Sequence, residues 1–212
     1  MRSSLLLPFV KGPSVLDVGC AGHVPEPDSP NWVHGALRKL FPKTVTGIDI
    51  NKENIEELEK LGYNSLYVMN AEKFELNQTF DTIVAGELIE HLANPGEFLL
   101  QCHKHLNSDG RIILTTPYPF SLLYSMYAFL KYPKTCQNLE HTCWFCPQTL
   151  DSLAARCGFK IAHWELIEDY QPDDPSWKYR VFVRLVTLFK FIIPRRLRCN
   201  GLLFVLHPNI VL

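Results

Sequence analysis

No stretch of this sequence is apolar for long enough to cross a bilayer. The longest run, Val181 to Ile193, is interrupted by Arg184 and Lys190 and falls short of the roughly 20 residues a helical span needs. The opening SLLLPFV is apolar but short, and no small-residue cleavage site follows it, so it is not read as a secretion signal. Neither glycine-rich phosphate motif is present: GCAGHV (19–24) fails the G-x-G-x-x-G pattern at its third and sixth residues, and no Gly-Lys-Ser/Thr ending follows. These absences argue against a nicotinamide dehydrogenase and a P-loop nucleotidase. Paired cysteine spacing is missing too. The 7 cysteines are odd in number and irregularly placed, which predicts reduced thiols and a cytoplasmic protein. Acidic side chains are absent after Asp174, where Lys178, Arg180, Arg184, Lys190, Arg195, Arg196 and Arg198 fall. A net charge of only −1, with the basic residues confined to that end, does not favour a nucleic-acid partner.

What is present is a regular alternation. SVLDVG (14–19), VTGIDI (45–50), NSLYVM (64–69), DTIVAG (81–86) and RIILTT (111–116) are short, apolar and rich in valine and isoleucine, as strands buried on both faces are. Helical patterns lie between them at 34–40, at 51–62 with Gly62 as a stop, and at 94–106 with Asn94 as cap and Pro95 in the first turn. Strand–helix alternation predicts an α/β chain with a doubly wound, mostly parallel sheet. After Pro117 an aromatic, proline-bounded segment interrupts the pattern. A helix at 147–159, a strand at 160–167, a basic amphipathic helix at about 177–198 and a last strand at 201–208 follow. The whole, 1–212, reads as a single domain with an inserted cap at about 118–145 and no internal repeat.

In an open parallel sheet, ligands bind at the carboxyl ends of the strands beside the point where strand order reverses. VLDVGCAGH (15–23) occupies the exit of the first strand. Gly19 permits a turn there, and Cys20, Ala21 and Gly22 are small enough to admit a ligand. Asp17 beside the turn would repel a pyrophosphate but suits an ammonium group. Asp49 at the end of the second strand suits a ribose diol. Asn70-Ala71-Glu72 after the third offers an amide and backbone N–H to an adenine edge. Ammonium, ribose and adenine without phosphate describe S-adenosylmethionine.

VLDVGCAGH, GIDI, NAEKF and FDTIVAGELIEHLANPGEFL, in that order, resemble the successive motifs of class I S-adenosylmethionine-dependent methyltransferases. EHTCWFCPQTLDSLAARCGFKI resembles the segment before the sixth strand in the branch holding ubiquinone-biosynthesis and related methyltransferases. The resemblance covers about 10–168. It implies a Rossmann-like, doubly wound seven-stranded sheet with an antiparallel last strand, supplied here by GLLFVLHP. It also implies S-adenosylmethionine as cofactor and methyl transfer, by O- or N-methylation, to a small-molecule, lipid or glycan-type acceptor. Carried over, Asp17, Gly19, Cys20 and Ala21 line the methionine end, and Asp49 and Ile50 the ribose and adenine. Asn70, Ala71 and Glu72 take the adenine edge, with Gly86 and Glu87 beneath the sulfonium. The sequence departs from the family where Ala21 and His23 replace glycines, where Asn70 replaces aspartate, and where VPEPDSPNWVHG (24–35) lengthens the stretch before Asp49. The alternative from another class is a non-catalytic ligand-binding module on the same fold.

Methyl transfer needs chiefly proximity and orientation, and sometimes a base. His141, from the cap, is the candidate base or orienting group. The main reading assigns no metal. Its rival gathers Glu87, Glu90 and His91 on one helical turn and adds His141 as ligands for a divalent cation, similar to an arrangement in the small-RNA 2′-O-methyltransferases. Cys136, His141, Cys143 and Cys146 are a further zinc candidate, set against two small thiols packed in an apolar cap. Tyr118, Phe120, Tyr124, Tyr127, Phe129 and Tyr132 either pack the cap or shape an acceptor pocket. The basic C-terminal helix is either a solvated face or a peripheral membrane contact.

Overall fold

Val15 to Val18 are buried on both faces, and so are Val45 to Asp49, so the two strands they form need helices above and below. A computed structural model, describing residues 2–22, 29, 31–136, 138–168, 170 and 176–209, supplies them. His23 and half of the lengthened stretch after it lie outside the described residues. In chain order the elements are α1 (Arg2–Leu6), β1 (Val15–Val18), α2 (Val33–Leu40), β2 (Val45–Asp49), α3 (Lys52–Lys60), β3 (Leu66–Val68) and β4 (Phe80–Gly86). There follow α4 (Pro95–His105), β5 (Leu106–Pro117), α5 (Leu122–Lys131), α6 (Pro147–Arg156), β6 (Phe159–Ile167), α7 (Trp177–Leu188), α8 (Arg195–Arg198) and β7 (Gly201–Pro208).

The strands form one seven-stranded sheet in the order β3-β2-β1-β4-β5-β7-β6. Neighbours from β3 through β5 run parallel, while β7 is antiparallel to both β5 and β6. This is the doubly wound arrangement with an antiparallel last strand that the resemblance implies. Strand order reverses between β1 and β4, which puts the switch point at the exit of β1. One face carries Leu16, Val18, Ile83, Ile112 and Phe204 under α4 and α6. The other carries Val15, Val45, Val84, Ile113 and Val205 under α1 and α2, with Leu6 and Leu37 fully buried. The opening apolar segment is therefore a piece of the core.

Local signals account for several element ends. The Asn51 side chain accepts the Asn54 N–H at 3.1 Å and starts α3, and Gly62, at φ +88°, takes the left-handed turn beyond its end. Gly158, at φ +82°, does the same after α6. Three expectations are corrected. Asn94 stands in the cap position of α4, but its side chain does not cap; Pro95 removes one orphan donor, and the amide is used elsewhere. β5 begins at Leu106, well before the expected 111, because Leu106 pairs with Phe80 ahead of a register shift. The basic region is two helices. α7 stops at Leu188, and α8 starts after Pro194, which lacks the N–H and the space to sit inside a continuous helix.

Candidate active site

The β1 exit is held in place by side chains of β2, α2 and α3. Gly19, at φ +83°, and Cys20 both donate their N–H to the Ile48 carbonyl, at 2.8 and 3.2 Å. The buried Asp49 carboxylate accepts the Ala21 and Gly22 N–H groups on Oδ2, at 2.9 and 3.2 Å, and the Asn51 N–H on Oδ1 at 2.9 Å. Asn54 Nδ2 donates to the Gly22 carbonyl at 2.6 Å, and Trp32 Nε1 to the Cys20 carbonyl at 2.8 Å. Cys20 and Ala21 are buried, so the loop offers backbone rather than these side chains. Burial, with Asp17 and Asp49 close by, pushes the Cys20 thiol far above its ordinary range, which keeps it neutral.

Asp17 lies beneath this loop. Its Oδ2 is 3.2 Å from Nδ1 of His34, a fully buried residue of α2, and since a carboxylate only accepts, the imidazole donates. Gly47 makes room for the ring: a Cβ there would stand 2.9 Å from His34 Cε1 and 2.7 Å from Cys20 Sγ. The rings of Trp32 and Tyr63 pack around it. Sequence reasoning missed His34, Trp32 and Asn54. The signal that points to the first is a glycine inside the apolar strand VTGID, which marks a close approach.

At the rim, Ile50 follows Asp49 and is 71% exposed, an apolar side chain left at the strand exits. Asn70 Oδ1 accepts the Glu72 N–H at 2.8 Å, closing a turn after β3. The Glu72 side chain turns away to the start of α4, accepting Asn94 N–H at 2.8 Å and Asn94 Nδ2 at 3.2 Å. The Asn94 N–H is the main reason its carboxyl sits below the ordinary carboxylate range. Glu72 thus links the β3 exit to α4, and Asn94 uses its amide there.

The opposite lip comes from β4 and the cap. Gly86 ends β4. Glu87 sits at φ +52°, with its N–H donating to both the carbonyl and Oγ1 of Thr115 at 3.1 Å. Leu88 leans over the first loop, 3.3 Å from where a Cβ on Gly19 would be. A 3-10 turn, Ile89–His91, follows. Glu90 is buried, and a carboxylate oxygen of Glu90 and ring nitrogens of His91 and His141 lie within 4.8 Å of one another. Glu87 is not in this group, because its left-handed backbone places it ahead of the turn rather than on it. The four-ligand set of the rival metal reading is therefore three among the described residues.

The segment bearing His141 is tied to that turn. Thr142 donates its N–H and its hydroxyl to the Glu90 carbonyl at 2.8 and 3.0 Å, and its hydroxyl also lies 2.6 Å from the Leu92 carbonyl. The His141 ring meets His91 edge-on at 4.8 Å and Trp144 at 5.8 Å, and Tyr124 packs on Trp144 at 5.0 Å. Burial, then His91, lowers the His141 pKa and favours the neutral imidazole. The zinc candidate does not assemble. Cys136 Sγ donates to the Asn138 carbonyl, Cys143 Sγ lies against the Ile89 carbonyl, Cys146 caps α6 with Thr149, and all seven cysteines are free thiols.

Comparison with known proteins gives a consistent picture. A family model described as a methyltransferase domain matches residues 2–163. The ubiquinone biosynthesis O-methyltransferase of Rickettsia prowazekii is 29% identical over 135 residues, 58% of this chain and 50% of that protein. Its counterpart from Caulobacter sp. is 32% identical over 122 residues, 51% of this chain and 42% of that one. The chain thus spans about half or less of the length of these curated relatives. Among solved structures, a SAM-dependent methyltransferase from Archaeoglobus fulgidus superposes with a TM-score of 0.63 at 20% identity, covering 97% of this chain and 90% of that one. An O-methyltransferase from a Brevibacillus brevis trans-AT PKS multienzyme, in complex with S-adenosyl-L-homocysteine, gives 0.58 at 19%, covering 94% and 67%. At these identities the likeness concerns the fold.

Proposed function

The chain belongs to the methyltransferase-domain family, and from that premise we propose that it transfers a methyl group from S-adenosylmethionine to an oxygen of a small-molecule, lipid or glycan-type acceptor. The observation that carries this reading is the exit of β1 and β2, where a backbone loop and two carboxylates meet an exposed apolar side chain. Two carboxylates there oppose a phosphate and suit a ligand that carries positive charge. Asp49 would hold the ribose, with Ile50 against adenine and the amide of Asn70 and backbone of Ala71 at its edge. The loop Gly19–Cys20–Ala21 would bed the methionine portion, with Asp17, oriented by His34, behind it. Glu72 positions this rim through Asn94 rather than touching the ligand. When bound, the cofactor supplies an electrophilic methyl on a sulfonium. Gly86 and Glu87 would form the floor on that side. His141, beside His91 and Trp144, would accept a proton from the acceptor hydroxyl; burial lowers its pKa, which favours the neutral imidazole that task needs. The oxygen acceptor is supported by the names of the relatives, and the cap at 118–145 would cover it. Seven free thiols support a cytoplasmic setting. The single-domain reading of 1–212 is supported by the sheet that runs from β1 to β7.

The test is calorimetric titration of the purified chain with S-adenosylmethionine and, separately, with NAD. Micromolar binding of the first alone, abolished in Asp49→Ala, is the expected result; binding of NAD instead would sink the reading. His141→Ala is expected to keep cofactor affinity and lose about 10²-fold in turnover once an acceptor is in hand. Full affinity with no turnover on any oxygen acceptor would favour a non-catalytic binding module.

A second reading, favoured by the convergence of Glu90, His91 and His141 within 4.8 Å, places a divalent cation there. Mixed imidazole and carboxylate donors suit zinc, manganese or iron. Titration of the chain with Zn²⁺ and Mn²⁺ tests it, with binding expected to be lost in both His141→Ala and Glu90→Gln.

A further inference from the structure

The exposed apolar residues of the molecule concentrate on α7, the turn after it and α5. Along α7, Tyr179, Phe182, Val183 and Val186 follow the three- and four-residue spacing of a single helix face. That face is turned inward, with Val186 buried and the Tyr170 ring against Tyr179 and Phe182. A second apolar row, Trp177, Val181, Leu185 and Leu188, follows the same spacing on the outer side. It is open to solvent, with Trp177 65% and Leu188 70% exposed. The turn beyond adds Phe189, Phe191 and Ile192, Phe191 being 91% exposed. An ordinary surface helix has one apolar stripe; this one has two, and only one is covered.

Charge tells what the second stripe faces. At 100° per residue, Arg180 and Arg184 fall on one side of the outer row and Lys178 on the other, so the row is bordered by cations along both edges. Lys178 reaches over the Trp177 ring and Lys190 over that of Phe191, holding ammonium groups at the rim of the apolar surface. Two such faces pressed together would juxtapose the cations of both copies, which opposes self-association through this surface. An apolar strip edged with lysine and arginine matches a lipid boundary: the side chains enter the acyl region and the cations meet anionic headgroups.

The cap carries exposed apolar residues as well. α5 packs against α8, the helix that follows α7 and its turn. It sends Tyr124 inward onto Trp144, beside His141, while Met126, Phe129, Leu130 and Tyr132 are exposed, Phe129 at 86%. Lys131 and Lys134 stand at its end. Among the described residues no helix is long and apolar enough to cross a membrane, so this geometry is one of lying on a surface.

We propose that the outer face of α7, the Phe189–Ile192 turn and the exposed side of α5 together form a docking surface for anionic lipid, which sets the cap at the membrane boundary. This deepens the methyltransferase reading above and rests on it for the role of the cap.

Co-sedimentation of the full chain with phosphatidylcholine vesicles, with and without phosphatidylglycerol, tests it. Binding is expected to the anionic vesicles, to weaken as salt rises, and to fall by about tenfold or more in Arg180→Glu/Arg184→Glu. It is also expected to be lost in Val181→Asp/Leu185→Asp, whose side chains are exposed and whose circular dichroism should be unchanged. No binding to anionic vesicles, or a dimer in sedimentation velocity that the Val181→Asp/Leu185→Asp pair dissolves, overturns the proposal. S-adenosylmethionine titration on the same samples separates the two readings. Cofactor binding without vesicle binding removes the docking surface alone, and vesicle binding without cofactor binding removes the methyltransferase reading alone.

Discussion

Glu87 holds a left-handed backbone at φ +52° that costs an ordinary side chain about 1–2 kcal/mol and costs glycine nothing. A carboxylate at such a place is a hint that its chemistry outweighs its strain. Glu87→Gly is therefore expected to leave stability within about 1 kcal/mol of the parent in urea denaturation, because relief of strain offsets the added freedom of the unfolded chain. The same variant is expected to lose cofactor affinity in calorimetry. Equal loss of both would make Glu87 a folding residue only. Glu72 behaves differently: its carboxylate is spent on Asn94, so Glu72→Gln should cost about 1 kcal/mol. Because its folded pKa is lowered, that contribution is fully present above the ordinary value of 4.5 and disappears as pH falls through the lowered one. The parent and variant unfolding curves should therefore converge in acid. At this scale Asp17, Asp49 and Ile50 were legible, since strand ends in a parallel sheet declare themselves. His34 and Trp32 were not, because they lie within the lengthened stretch at 24–35, for which no local rule gives a path.

At the scale of elements, the contact between β2 and α2 depends on one missing methyl group. Gly47→Ala would put a Cβ 2.6 Å from Leu66 Cδ2, 2.7 Å from Cys20 Sγ and 2.9 Å from His34 Cε1, three buried neighbours with little room to yield. A loss of about 1–3 kcal/mol in denaturant unfolding is expected, together with weaker S-adenosylmethionine binding as the Asp17–His34 pair is displaced. Unchanged affinity would separate that pair from the site. The strands β1, β2, β4, β5 and β7 could be read from sequence because burial on both faces writes itself as runs of valine, isoleucine and leucine. The early part of β5 was hidden by Asn107, Ser108 and Asp109, polar residues at a strand start. α1 was hidden by its length, five residues being too few to show a period. The break before α8 is written in Pro194, although the pattern of basic residues runs across it.

For the whole molecule, strand order puts every proposed cofactor contact at one edge of the sheet, at the ends of β1, β2, β3 and β4 or on the loops that leave them. A ligand that touches all of them bridges both sides of the switch point and stabilises the fold as a unit. At about 100 times its dissociation constant, S-adenosylhomocysteine would add about 2.7 kcal/mol, which for a chain of this size raises Tm by about 5–10 °C. A thermal scan that shows no shift while calorimetry shows binding would mean that the domain does not unfold as one cooperative unit.

The Asp49 carboxylate already accepts three backbone N–H groups, and a carboxylate has room for about four donors. A ribose diol held there, as proposed above, would bring two. One internal bond would then have to let go before the second hydroxyl is seated, which would make association an exchange rather than a simple capture. On that reading its observed rate should level off at high ligand concentration, at the speed with which the loop releases Asp49. The indole of Trp32, donating to the Cys20 carbonyl on that same loop, is a built-in fluorophore for watching this happen by stopped flow.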